Sequence, residues 1–255
     1  MSIYIDDSNF AQVVQESEGA GFLAGCLPRQ TEIGGLACAA VFAEHVPIIP
    51  ESEWIPRIEQ MTATGSFIGQ RWQSNPQADY QNGFRFCWAY SLAQSVMAVR
   101  ASMGQPFVQL SPESLAEDVG YRNRGNSLDS ALEYASKYGV ASRATVPQHK
   151  ISESQWNPQY KDERQLFMPL EWYDLGGKNV WAETVTALLM GFGCYVGYDW
   201  ASHAVFLDML AVNDKGQITA HTPNSHGPKN DWWLSGFKAI PSMGSFVLRS
   251  VTLAG

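Results

Sequence analysis

The chain has no run of about 18 or more apolar residues, so no segment reads as a transmembrane helix. Basic residues are few, with 17 Lys and Arg against 25 Asp and Glu, and the formal net charge is −8. That balance excludes the clustered positive footprint of a nucleic-acid-binding surface. Four cysteines (Cys26, Cys38, Cys87, Cys194) contain no CxxC pair and no zinc-ligand spacing, so neither a metal nor an organic cofactor is expected. The start, Met-Ser-Ile-Tyr-Ile-Asp-Asp, lacks the basic and apolar regions of a signal peptide. Residence in the cytoplasm, or in a particle assembled inside the cell, is the expectation. Internal repeats and low-complexity runs are absent as well. What remains is a 255-residue chain, 45% hydrophobic and 16% charged, long enough to bury a substantial core.

Residues 1–51 differ from the rest. A short apolar start, Ile3-Tyr4-Ile5, leads to a helix expected over Asn9–Glu16, a glycine-rich stretch, and an extended segment punctuated by Pro47 and Pro50. This reads as an N-terminal extension on a main domain of residues 52–255. In the first part of that domain the apolar positions follow helical spacing. Trp88, Leu92, Val96, Val99 and Met103 mark a helix from Cys87, with Gly104 at its end. A second helix is expected from Ser111-Pro112. A third is expected over Leu128–Tyr138, capped by Ser127 and stopped by Gly139. After a further helix over Trp181–Met190 the period changes to that of strands. These are expected at Cys194–Trp200, His203–Val212, Ile218–Thr222 and Ser245–Thr252, with Asn213-Asp214-Lys215-Gly216 as a hairpin turn. Trp156–Tyr173 shows no clear period and is expected to be a surface connection. Helices first and strands afterwards indicate an α+β chain whose two unlike halves meet at a cleft.

The segment Gln81-Asn82-Gly83-Phe84-Arg85-Phe86-Cys87-Trp88-Ala89-Tyr90-Ser91 carries the chemistry. It puts Cys87 at a loop-to-helix junction, where free backbone N–H groups supply about half a positive charge. A thiol there ionises more readily, and the thiolate is the nucleophile. The segment resembles the active-site stretch of papain-like cysteine peptidases. Where secreted members usually carry a disulfide cysteine three residues before the nucleophile, this chain has Phe84, which fits a reducing compartment.

A cysteine nucleophile needs a base and a group that orients the base. His203, in Ala201-Ser202-His203-Ala204-Val205, opens an apolar strand and is followed by Ala-Val, like the family's catalytic histidine. Asn224-Ser225 resembles the family's Asn-Ser-Trp-Gly, whose asparagine fixes the histidine tautomer. Here His226 stands in the tryptophan position, and Trp232 or Trp233 is left to shield the pair. Measured from Cys87, Asn224 falls within the roughly 130–150 residues usual for the family, while His203 comes early. The resemblance also implies that Gln81 donates to the oxyanion, and that Gly125, Asn126 and Ala204 contact substrate. At the substrate-binding turn the family usually has two adjacent glycines, and the second is Asn126 here.

The resemblance thus implies a papain-like thiol peptidase hydrolysing amide bonds of a peptide or protein through an acyl-enzyme. Two other readings stay open. One is a peptidoglycan or isopeptide hydrolase of the same superfamily. The other is an idle papain-like scaffold serving as a structural component of a virus particle. For residues 1–51 both an inhibitory propeptide and a structural arm for an assembly partner are expectations. His221, His226 and Asp231 read as turn residues, and Cys194 as a buried inert thiol.

Overall fold

A computed structural model describes residues 2–71, 81–226 and 231–252. Among the described residues eleven strands form three sheets. They are β1 (Ile3–Ile5), β2 (Cys26–Leu27), β3 (Ala39–Val41), β4 (Asn126–Ser127), β5 (Pro169–Asp174), β6 (Cys194–Tyr198), β7 (His203–Leu207), β8 (Met209–Val212), β9 (Ile218–Thr222), β10 (Trp232–Leu234) and β11 (Ser245–Val251). The strand orders are β3-β5-β11-β6-β7, β1-β10-β9-β8 and β2-β4. The three strands of the first 51 residues each pair in parallel with a strand from later in the chain, β1 with β10, β2 with β4 and β3 with β5.

The five-stranded sheet explains why its central strands read as nearly unbroken apolar runs: both of its faces are buried. Alternate residues enter opposite cores. Tyr195, Ala204, Phe206, Phe246 and Leu248 face the helix Cys87–Ser102 and its neighbours. Val196, Val205, Leu207 and Val247 face a second core, which holds the helices Trp54–Thr64 and Val180–Leu189. The Cys87 helix is buried around its whole circumference down to Arg100, so small residues (Ala89, Ser91, Ala93, Ser95, Ala98) alternate with large ones along it. Tyr195 Oη donates to the Trp88 carbonyl at 3.0 Å and fixes the start of that helix to the sheet.

Several sequence expectations match. The helix Leu128–Tyr138 buries Leu128, Ala131, Leu132 and Ala135, with Ser127 as its side-chain cap and Gly139 at φ 82° beyond its end. Strand β9 has the expected bounds, and the Asn213–Gly216 turn joins β8 to β9. Others need correction. The segment from Pro112 to Val119 is a 3₁₀ helix, and the Ser111 hydroxyl turns to Glu113 rather than capping it. The expected strand from His203 to Val212 breaks at Asp208 into β7 and β8, which lie in different sheets.

The expected surface connection is wrong over most of its length: Tyr160, Phe167 and Trp172 are buried, and Pro169–Asp174 is β5, paired on one side with β11 and on the other with β3. Trp172 is fully buried, and its indole donates to Ser136 Oγ. Trp172→Ala is therefore expected to cost about 3–5 kcal/mol, read as a fall in denaturant midpoint at unchanged slope. A loss below about 1 kcal/mol would be inconsistent with this packing. Among the described residues no helix is long and apolar enough to cross a membrane.

Candidate active site

Cys87 is the first residue of its helix, with Phe86 in the N-cap position. The free N–H groups of the first turn face it, and backbone N–H groups, those of Ala204 and Gly25 among them, pull its thiol pKa down against the larger effect of burial. His203 opens β7, and that strand packs against the helix begun by Cys87. The ring donates Nε2–H to Asn224 Oδ1 at 2.8 Å. That bond fixes the tautomer, leaving Nδ1 as the unprotonated nitrogen, buried and without a hydrogen-bond partner.

Asn224 follows β9 on a loop tied to the nucleophile from two sides. Gln94, two turns along the Cys87 helix, donates Nε2–H to the Pro223 carbonyl at 3.0 Å. The Gln81 N–H donates to the Ser225 carbonyl at 3.0 Å, and Ser225 Oγ donates to Gln81 Oε1 at 2.7 Å. Sequence reasoning missed Gln94, because its partner is a carbonyl distant in the chain. The role of Ser225 was half visible in the Asn-Ser pair. Trp232 gives the cover that the missing tryptophan would have supplied, with its ring 5.3 Å from that of His203. His226 lies 4.2 Å from His203, ring centre to ring centre.

The chain's own residues 22–27 occupy the cleft. Phe22 stacks on His226 with ring centres 4.8 Å apart. Gln81 Nε2 donates to the carbonyls of Leu23 at 2.7 Å and Phe84 at 2.9 Å, so the amide expected to serve an oxyanion already holds a peptide carbonyl. Arg85 Nη1 donates to the Ala24 carbonyl. Gly25 and Cys26 donate their N–H groups to the Ser202 carbonyl at 3.1 and 2.8 Å, and the Gly25 carbonyl accepts from the Asn126 N–H at 2.9 Å. At Gly125-Asn126, where a substrate-binding turn is expected, the neighbouring backbone is the chain's own, and β2 runs parallel to β4. Ala204 is buried beside His203, and its backbone N–H is among the groups that lower the Cys87 thiol pKa.

Beyond the cleft the segment is clamped. Arg29 makes a two-pronged ion pair with Asp174, which is fully buried, at 2.7 and 2.6 Å. Asp129 Oδ2 accepts from the N–H groups of Gln30 and Thr31 and from the Thr31 hydroxyl. Burial opposes ionisation of Asp129, but these bonds and one from Ser127 hold its carboxyl below the usual range. His221 pairs with Asp208 at 2.6 Å, and no cluster suited to a metal ion is found among the described residues.

Burial pushes the Cys87 thiol up to about 11, against the pull of the surrounding N–H groups. Burial likewise pushes His203 down to about 4, opposed by the Asn224 hydrogen bond. Both shifts favour the uncharged forms of the two side chains. The value for His203 lies below its ordinary 6.5, so this group favours closure above that pH and loses the effect as pH falls toward 4. Cys87 lies above its ordinary 9.0, so it favours closure below pH 9 and loses the effect as pH rises toward 11. His226, pushed well down by burial and by His203, adds to the acid side. Amide-exchange protection of Gly25 and Cys26, corrected for intrinsic rates, is therefore expected to peak between pH 6.5 and 9.0 and to fall on both sides. Protection that is flat across that range and beyond it would contradict this coupling.

No protein-family model matches the sequence, and no curated protein matches it. Solved structures do match. The procathepsin L 3 of Tenebrio molitor larval midgut superposes with a TM-score of 0.59 at 14% identity, over 96% of this chain and 89% of that one. Xylellain, a cysteine protease from Xylella fastidiosa, gives 0.60 at 13% identity, over 91% and 96%. The recombinant stem bromelain precursor gives 0.57 at 14% identity, over 97% and 89%. At these identities the similarity speaks to architecture, and the chain has the α+β fold of the papain-like cysteine proteases.

Proposed function

We propose that the chain is a thiol peptidase, with Cys87 as nucleophile, His203 as base and acid, Asn224 as the group that orients the histidine, and Gln81 as oxyanion donor. One observation carries the reading: the Nε2–H of His203 is committed to Asn224, which leaves Nδ1 unpartnered at the start of a strand that packs on the helix begun by Cys87. In the reaction Nδ1 takes the thiol proton, and the sulfur forms a bond to the carbonyl carbon of the substrate. The Cys87 N–H and Gln81 Nε2 donate to the resulting oxyanion. Collapse breaks the C–N bond, and His203 returns the proton to the leaving amine. Water, deprotonated by His203, then cleaves the thioester and restores the thiol. Ser202 and Asn126 hold the substrate backbone with the groups that now hold Gly25 and Cys26.

In this reading residues 1–51 are an extension whose part from 22 to 34 acts as a plug, and residues 52–255 are the hydrolytic domain. The full-length matches to a procathepsin and to a precursor support the comparison of the extension with a propeptide. The test uses full-length Arg29→Ala protein, in which the clamp on the plug is broken. It is given an unfolded polypeptide and, separately, purified peptidoglycan. Cleavage of the polypeptide supports the peptidase. Cleavage of peptidoglycan alone moves the substrate to cell-wall amides. No cleavage of either by a folded protein with an accessible Cys87 favours an idle scaffold.

A further inference from the structure

The plug meets the nucleophile at a glycine, and contact rather than backbone conformation requires it, since Gly25 does not have a positive φ. A Cβ on Gly25 would stand 2.1 Å from the Arg85 carbonyl oxygen and 2.6 Å from its carbon. A Cβ on Gly125, on the opposite wall, would stand 2.4 Å from the Gly25 carbonyl oxygen and 3.2 Å from its Cα. Two backbone walls therefore confine a bare backbone, and neither is a side-chain tip that can swing away.

The Arg85 wall is also held in place. Its carbonyl accepts from the buried Trp88 indole at 3.0 Å, and its N–H donates to Asn123 Oδ1 at 2.7 Å. Asn123 Nδ2 donates to the Gly83 carbonyl at 3.0 Å, so one side chain ties the nucleophile loop to the loop that leads into Gly125-Asn126. Gly25 packs on Arg85, two residues before Cys87, and its N–H donates to the carbonyl of Ser202, the residue before His203, so the pinch lies between the two halves of the candidate site. A peptide running in either direction has to pass a Cα between the same walls.

We propose that the cleft at Cys87 is a glycine subsite: its substrates are peptide amides whose acyl residue is glycine, and Asn123 is the specificity-determining side chain that holds the Arg85 wall. The proposal rests on the peptidase reading. It also explains why the plug presents glycine at this point.

The test uses full-length Arg29→Ala protein and two peptidyl vinyl sulfones that differ only in glycine or alanine at the residue bearing the electrophile, with iodoacetamide as a reagent indifferent to the subsite. The glycyl reagent is expected to modify Cys87 about 100-fold faster than the alanyl one, and Asn123→Ala is expected to cut that ratio about tenfold. Separately, Gly25→Ala in the otherwise unaltered chain is expected to raise iodoacetamide modification of Cys87 at least roughly tenfold, because the plug no longer seats. Circular dichroism of each variant establishes that it is folded. Glycyl and alanyl reagents of equal rate would overturn the subsite and leave the peptidase reading standing. Iodoacetamide modification with no reaction of either peptidyl reagent would overturn both. A Gly25→Ala protein that protects Cys87 as well as the parent does would overturn the pinch without bearing on catalysis.

Discussion

Replacing Cys87 by alanine in the Arg29→Ala protein is expected to lower peptide hydrolysis by about six orders of magnitude, the scale on which a nucleophile acts together with its base. His203→Ala is expected to do nearly as much, and the double replacement no more than either alone. The reason is geometric. Cys87 lies in a helix start whose N–H groups favour the thiolate, and on the proposed reading His203 Nδ1, which has no hydrogen-bond partner, receives the proton. Either half without the other leaves a thiol near its ordinary reactivity. Single-turnover rates with a chromogenic peptide amide measure this. Additive losses would show that the two side chains do not act as one unit.

Arg29→Ala itself is expected to raise the rate at which a neutral thiol reagent reaches Cys87 by about 100-fold. The Arg29–Asp174 pair is the strongest hold on the plug, because a planar guanidinium meets both carboxylate oxygens where the carboxylate is fully buried. Removing one partner of such a pair costs about 3–5 kcal/mol, and each 1.4 kcal/mol is tenfold in an equilibrium. Lifting residues 22–34 returns Asp174 to water, so much of that cost falls on the closed state alone. Arg29→Lys keeps the charge but not the two-pronged geometry, and an intermediate rate is expected. The rate of alkylation at Cys87, followed by mass spectrometry alongside the melting temperature, tests this. An unchanged rate in a protein that melts as before would show that the plug is held elsewhere.

The parts of this arrangement visible in the sequence are those where a side chain has to be one thing. Cys87 with its tryptophan and serine, His203 ahead of Ala-Val, and Asn224-Ser225 are recognisable because each resembles a short motif of the papain-like peptidases. The Leu128 helix is legible for a related reason: its apolar residues recur at helical spacing between a serine cap and a glycine stop. Strand β5 is not. Its sequence, Pro-Leu-Glu-Trp-Tyr-Asp, leaves Leu170 and Glu171 exposed and buries Trp172 and Asp174, a mixture set by sheet partners from both ends of the chain. The plug is harder still. Leu23, Gly25 and Cys26 act through carbonyl and N–H groups, which every residue has, and Asp129 and Asp174 have partners about a hundred residues away or more. Nothing local in Gly-Phe-Leu-Ala-Gly-Cys announces that its backbone is bonded to Gln81, Ser202 and Asn126.

The central claim is that Cys87 is a nucleophile made by His203 and hidden by the chain's own segment. Its most direct test is to treat the parent and Arg29→Ala proteins at neutral pH with an epoxide inhibitor of papain-like enzymes and to map the adduct. All four cysteines are free thiols, and Cys38 is the only one not buried. The adduct is expected on Cys87 alone, many times faster in Arg29→Ala than in the parent, and lost when His203 is replaced by alanine. An unmodified Cys87 in a folded Arg29→Ala protein, or an adduct that goes to Cys38 instead, would contradict it.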